Sequence, residues 1–197
     1  MIYPICANSK RRATIIGPAG KKNRVTVAAP VYVVQHHLAS ADHYDFRLEI
    51  DGVLASWAVP KGPSPDPSVR RLAKRTPDHD LGYADYEGVL SPQRRGGGVV
   101  QVWDRGTFVN VSHDGDQPID TRTALGRGHL SFVLHGEKLR GGFTLVRTRG
   151  DDFWLLLKKH DADADAAGDP VRTRPDSVLT GRTLSEIEIE ADAAAGR

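Results

Sequence analysis

Between residues 31 and 158 the chain is a series of short apolar stretches separated by Gly, Pro, Asp and charged residues, and several of those stretches alternate apolar with polar. A period of two places successive side chains on opposite faces of an extended chain, so such a stretch reads as a strand with one buried face. The pattern predicts strands at 31–35, 46–50, 53–59, 99–103, 107–111, 128–135, 142–148 and 153–158. Asp51-Gly52 is a hairpin turn sequence between two of them, and Arg149-Gly150-Asp151-Asp152 links the last pair into another hairpin. Asp104-Arg105-Gly106 and residues 135–138 also read as turns. Residues 60–67 carry four prolines, which remove four ladder donors, and are expected to form a rigid loop. Residues 68–74 fit either a helical turn or a strand. Near-regular spacing with Gly and Asp turns predicts a mainly β fold, a single-domain barrel or sandwich with short helical turns and flexible termini.

The flanks lack this pattern. Residues 1–28 read as a basic, partly disordered leader, with Lys10-Arg11-Arg12 and Lys21-Lys22-Asn23-Arg24 on either side of the turn sequence Gly17-Pro18-Ala19-Gly20. The folded domain is expected at 29–160. An Ala/Asp-rich linker at 161–169 opens a tail that runs to residue 197, in which Thr183-x-x-Glu186 is a capping box for a short helix.

Net charge is only +2, but it is unevenly placed. Residues 1–75 carry 12 Lys and Arg against 5 Asp and Glu, while residues 76–197 carry 15 against 20. A basic N-terminal half suits a polyanionic partner. Cys6 is the one cysteine, so no disulfide framework exists and a reducing cytoplasm is expected. No apolar leader and no run of about eighteen apolar residues is present, so neither secretion nor membrane insertion is expected.

The candidate chemistry sits between 35 and 47. His43, Asp45 and Arg47 alternate with Tyr44, Phe46 and Leu48, so the polar set shares one face and the apolar set the other. A neutral imidazole and a carboxylate suit a divalent ion, and an arginine two residues on suits an anion that the ion also holds, phosphate first. His37 lies six residues before His43, roughly 20 Å in a straight strand, so both reach one ion only if 39–42 bends. Two His and one Asp leave coordination positions open, as catalytic metals require. His79, flanked by Asp78 and Asp80, reads by itself as an exposed loop histidine. Gln93-Arg94-Arg95-Gly96-Gly97-Gly98 is a cationic Gly-rich loop without the Lys-Ser/Thr of a nucleotide P-loop.

Several segments together resemble the 3′-phosphoesterase domain of bacterial DNA ligase D. They are Gln35-His36-His37, His43-Tyr44-Asp45-Phe46-Arg47-Leu48-Glu49, Ser56-Trp57-Ala58-Val59-Pro60-Lys61-Gly62-Pro63, Asp78-His79, Tyr83-Ala84-Asp85-Tyr86-Glu87-Gly88, Val102-Trp103-Asp104-Arg105-Gly106-Thr107 and Leu134-His135-Gly136-Glu137-Lys138-Leu139. The resemblance implies a compact β-barrel with a manganese site, and Co2+ or Zn2+ suits the same donors. It implies removal of a 3′-terminal ribonucleoside and then a 3′-phosphate from DNA ends during end joining. It also implies DNA or DNA/RNA 3′ ends as partners, beside a ligase or end-binding repair protein. By motif position His37, His43 and Asp45 would ligate the metal, Arg47 and His79 would contact phosphate, Tyr83 occupies an active-site position and Gln35 a supporting one.

The chain departs from the family pattern around these residues. Leu38-Ala39-Ser40-Ala41-Asp42 replaces Asp-Ala-Arg-Arg-Leu, Pro77 stands where an acid is usual, and residues 91–96 and the leader each lack a usual glutamate. Groups that orient ligands are worth ten- to a hundredfold each, so a nucleic-acid-binding module without catalysis is the alternative. A mononuclear iron oxygenase, with His129 or His135 completing a triad with His43 and Asp45, is a third reading.

Overall fold

A computed structural model describes residues 29–91, 93, 96–194 and 196; the basic leader with Cys6, and Arg94-Arg95 of the Gly-rich loop, lie outside the described residues. The elements in order are β1 (Val31–Leu38), β2 (Asp42–Ile50), β3 (Val53–Val59), β4 (Arg70–Asp80), a 3-10 turn (Leu81–Asp85), β5 (Gly88–Leu90) and β6 (Gly98–Asn110). They continue with β7 (His113–Asp114), β8 (Gln117–Pro118), α1 (Thr121–Gly126), β9 (His129–Gly136), β10 (Arg140–Arg149), β11 (Phe153–Lys158), α2 (Pro170–Thr173) and α3 (Leu184–Ala194).

Eight strands close into an antiparallel barrel in the order β1-β2-β3-β4-β11-β10-β9-β6, with β6 returning to β1. Among the described residues, closure leaves the barrel sheet no free edge except where β5 adds to β6. The interior is filled from every wall: Tyr32, Val34, Tyr44, Phe46, Leu48, Trp57, Trp103, Phe108, Phe132, Phe143 and Trp154 are all buried in one cluster. That is the barrel the resemblance implies, and the interior is packed rather than hollow. No helix among the described residues is long and apolar enough to cross a membrane.

Strand alternation sets the polar residues of β1 and β2 on the outer wall. Tyr32 and Val34 point inward while Val33, Gln35 and His37 point outward; on β2 Tyr44, Phe46 and Leu48 point inward while His43, Asp45 and Arg47 point outward. A second, smaller cluster of Val33, Leu54 and Val102 lies on that outer wall, with Tyr83, Ala84 and Val178 packed against it. It seats the 3-10 turn over the polar residues.

The structure corrects three local expectations. Asp104-Arg105-Gly106 is not a turn but the middle of β6, which runs unbroken over 13 residues. Its turn-like composition serves other ends. Asp104 points inward and accepts hydrogen bonds from Tyr32 Oη (2.6 Å) and the backbone N–H groups of Glu137, Lys138 and Leu139. At Gly106 a Cβ would strike the carbonyl of His135 on the neighbouring strand. Second, His79 lies on β4, not in a loop, because β4 continues past Pro77 to Asp80. Of residues 68–74, those from Arg70 onward form the start of that strand, and Ser68 lies in the turn before it. Third, β1 and β2 are longer than predicted and meet at a bend over 39–41, so His37 pairs directly with His43 across the hairpin.

The tail folds back on the barrel. Glu87 accepts hydrogen bonds from Val102 N–H (2.7 Å), Ser177 Oγ and Thr180 Oγ1 (2.7 Å), beside the guanidinium of Arg182. The Thr183 capping box forms, with Glu186 accepting from Thr183 N–H at 2.7 Å, and Ile187 of α3 is buried.

Candidate active site

The hairpin brings three donors together. His37, His43 and Asp45 each offer one ligand atom, and these atoms lie within 4.8 Å of one another. His37 Nδ1 is 3.5 Å from Asp45 Oδ2, and His43 Nε2 is 3.8 Å from Asp45 Oδ1. Those gaps are too long for strong hydrogen bonds. They are close to the roughly 3–3.5 Å that separates ligand atoms held at about 2.0–2.2 Å from one ion. His43 Nδ1 lies 2.9 Å from the carbonyl of Ala41, which places its proton there and leaves Nε2 bare. His37 Nε2 is buried without a hydrogen-bond partner among the described residues. A borderline N/N/O donor set, mutually close and partly lacking partners, fits a divalent ion.

Arg47 binds the remaining side chains into one unit. Its Nε donates to Gln35 Oε1 (2.8 Å), Nη1 to Ser56 Oγ (2.8 Å) and to His79 Nδ1 (2.9 Å), and Nη2 to Asp45 Oδ2 (2.9 Å). Four of about five N–H donors are therefore committed inside the protein, which leaves one on Nη2. Arg47 is 2% exposed, and its guanidinium carbon lies 5.2 Å from the Tyr83 ring centre. Arg47 therefore keeps one free N–H on an edge rather than an open fork.

Gln35, wholly buried, does for the turn what Arg47 does for the strands. Its Nε2 donates to the carbonyls of Tyr83 (2.9 Å) and Tyr86 (3.1 Å) while its Oε1 holds Arg47. This fixes Tyr83, whose ring sits 5.1 Å from that of His79. Ser56 was not singled out by the sequence as a site residue. It accepts from Arg47 and donates to the Leu54 carbonyl at 2.8 Å. Its outward parity beside the inward Trp57 was the available signal.

The charge state follows from these contacts. Burial pushes the Asp45 carboxyl up, but the close approach of His37 and the charge of Arg47 outweigh it and hold it below its ordinary value. Burial, then the Arg47 charge, pushes His79 below its ordinary value, so it is neutral near pH 7. His79 Nδ1 lies 3.0 Å from the Pro77 carbonyl and 2.9 Å from Arg47 Nη1. The charged donor is the stronger partner, which leaves the His79 proton on Nε2. Burial also raises the Tyr83 hydroxyl, so it is a donor at neutral pH.

His129 and His135 are not in this cluster. His135 pairs with Thr107, which pairs with Val31, six residues along β1 from His37 and so about 20 Å away. Neither His129 nor His135 therefore completes a triad with His43 and Asp45.

A closed barrel carrying two imidazoles, a carboxylate and a buried arginine on its outer wall defines a class: a β-barrel protein with a candidate metal-and-anion site. The chain belongs to the DNA ligase D 3′-phosphoesterase domain family, whose model matches residues 35–147. It is 47% identical over 186 residues to the multifunctional non-homologous end joining protein LigD of Pseudomonas aeruginosa, covering 91% of this chain and 21% of that protein. The LigD of Mycobacterium tuberculosis is 44% identical over 140 residues, 71% of this chain and 17% of its own length. That of Mycolicibacterium smegmatis is 37% identical over 134 residues, 66% of this chain and 17% of its own. The chain thus spans about a fifth of the length of these relatives.

Proposed function

We propose that the chain is a divalent-metal phosphoesterase acting on DNA 3′ ends, removing a 3′-terminal ribonucleoside and then the 3′-phosphate, with Mn2+ preferred, in end-joining repair. The observation that carries the reading is the His37, His43 and Asp45 cluster beside Arg47 and His79. These three residues would hold the ion, which supplies Lewis-acid polarisation of a phosphoryl oxygen. Arg47 offers its remaining N–H toward that side and holds Asp45 in place. His79, with its proton on Nε2, donates to a phosphate oxygen or to the departing oxygen of the ester. Tyr83 closes the opposite wall and offers a neutral hydroxyl.

The test is hydrolysis of a primer ending in a 3′-ribonucleotide or 3′-phosphate, across a panel of metals. Shortening or dephosphorylation in Mn2+ supports the reading; intact primer in every metal ends it. A second reading, binding without turnover, draws on Pro77. Pro77 offers no carboxylate where an acid is usual, and the neighbouring Asp78 pairs with Arg75 at 2.5 Å. Strand binding that survives His43→Ala, with no turnover in either protein, would favour it.

A further inference from the structure

The ladder register extends the site sideways across the barrel. Gln35 pairs with Asp45, Asp45 with Ala58, Ala58 with Lys74, Lys74 with Phe153, and Phe153 with Arg149. Residues directly opposite in a ladder share a face. Lys74 and Phe153 therefore face outward, like Asp45, along the curved outer surface of the barrel, as the buried inward neighbours Ala73 and Trp154 confirm. At about 4.8 Å per strand, Lys74 lies roughly 10 Å from Asp45 and Phe153 roughly 14 Å, measured around the barrel surface.

The row has a telling composition. Ala58 is small and leaves a low floor beside Asp45. Lys74 and Arg149 are exposed cations. Phe153, between them in register, is 42% exposed, and Leu72 next to it on the same wall is 45% exposed. One exposed aromatic is ordinary. An exposed aromatic flanked by cations, in line with a phosphate-type site, has the makeup of a single-strand platform, where cations follow the backbone and a ring stacks a base. In the nearby turn Asp151 is engaged by Arg147 at 3.2 Å, which limits its repulsion of a polyanion.

We infer that this row is the track for the nucleic-acid strand 5′ of the reacting end, with Lys74 on a phosphate and Phe153 stacked on a base. The inference rests on the proposed function only for which end of the strand enters the site.

The experiment is equilibrium binding by fluorescence anisotropy, without metal, so that no turnover is needed. The probes are a long labelled single-stranded DNA and a labelled dinucleotide, each ending in 3′-phosphate. Wild type should bind the long strand more tightly. Phe153→Ala should cut that advantage about tenfold, toward the lower end for loss of one stacking contact, and Phe153→Trp should restore it. Lys74→Ala should reduce the salt slope for the long strand by about 0.7. No length advantage in wild type, or the same advantage in folded Phe153→Ala and Lys74→Ala proteins, overturns the track. Absence of hydrolysis with the advantage intact would instead count against the phosphoesterase reading alone.

Discussion

Replacing Gln35 by Met tests whether the site is one connected unit. The side chains are of similar length, and position 35 is wholly buried, so the change removes polar contacts more than packing. Three hydrogen bonds disappear: one from the Arg47 guanidinium and two to the Tyr83 and Tyr86 carbonyls. A bond to a charged group is worth about 1.5–3 kcal/mol and each neutral one about 1 kcal/mol. The buried Arg47 Nε–H is left without its acceptor, while the thioether recovers some apolar burial. The net loss should be about 3 kcal/mol, or roughly 6–12 °C in Tm for a chain of this size. The functional effect is separate. The Tyr83 turn loses both ties to β1 and Arg47 loses its Nε anchor, so kcat should fall roughly 10- to 100-fold, as when groups orienting a metal site are removed. KM should change little, since Gln35 is too deep to touch substrate. Thermal melts and steady-state hydrolysis of a 3′-phosphate primer measure both. A Gln35→Met protein that melts within about a degree of wild type and turns over normally would refute the connected-unit argument.

Other expectations concern stability away from the site. Asp104→Asn puts an amide among four donors, so it should cost about 2–3 kcal/mol in urea unfolding while the folded fraction keeps its turnover. Burial lowers Lys138 to about 8; above that pH the unfolded chain holds the proton that the native one has released. Native stability relative to Lys138→Met should therefore rise between about pH 8 and 10.4, and a flat difference would remove the reasoning. Glu87→Gln weakens the clasp on Ser177, Thr180 and Arg182, and trypsin should cut after Arg182 about 5- to 30-fold faster for a local loss of about 1–2 kcal/mol.

Much of the barrel was legible because its strands alternate and their hairpins use Asp-Gly or Gly-containing turns. The outward parity of His43, Asp45 and Arg47 could be read from the sequence, as could the need for a bend between His37 and His43. Two kinds of feature were not legible. One was long-range pairing that overrides local composition. Asp104-Arg105-Gly106 carries turn residues, yet Asp104 serves a loop more than thirty residues away and Gly106 permits a close strand. His79 sits among loop-forming neighbours but is drawn into β4 by pairing with Leu54. The other was connectivity inside the site. Nothing in the order of residues says that Arg47 spends its donors on Gln35, Ser56, His79 and Asp45. That follows only once β1, β2, β3 and β4 lie side by side.

If this donor cluster drives hydrolysis at nucleic-acid 3′ ends, removing either the ion or a ligand must stop it. The most direct measurement follows a 3′-ribonucleotide primer with and without Mn2+, for wild type and for His43→Ala. Wild type should shorten the primer only with metal and the variant essentially not at all, with both proteins melting alike. Equal turnover by the two proteins, or wild-type turnover unaffected by chelation, would contradict that role of the cluster.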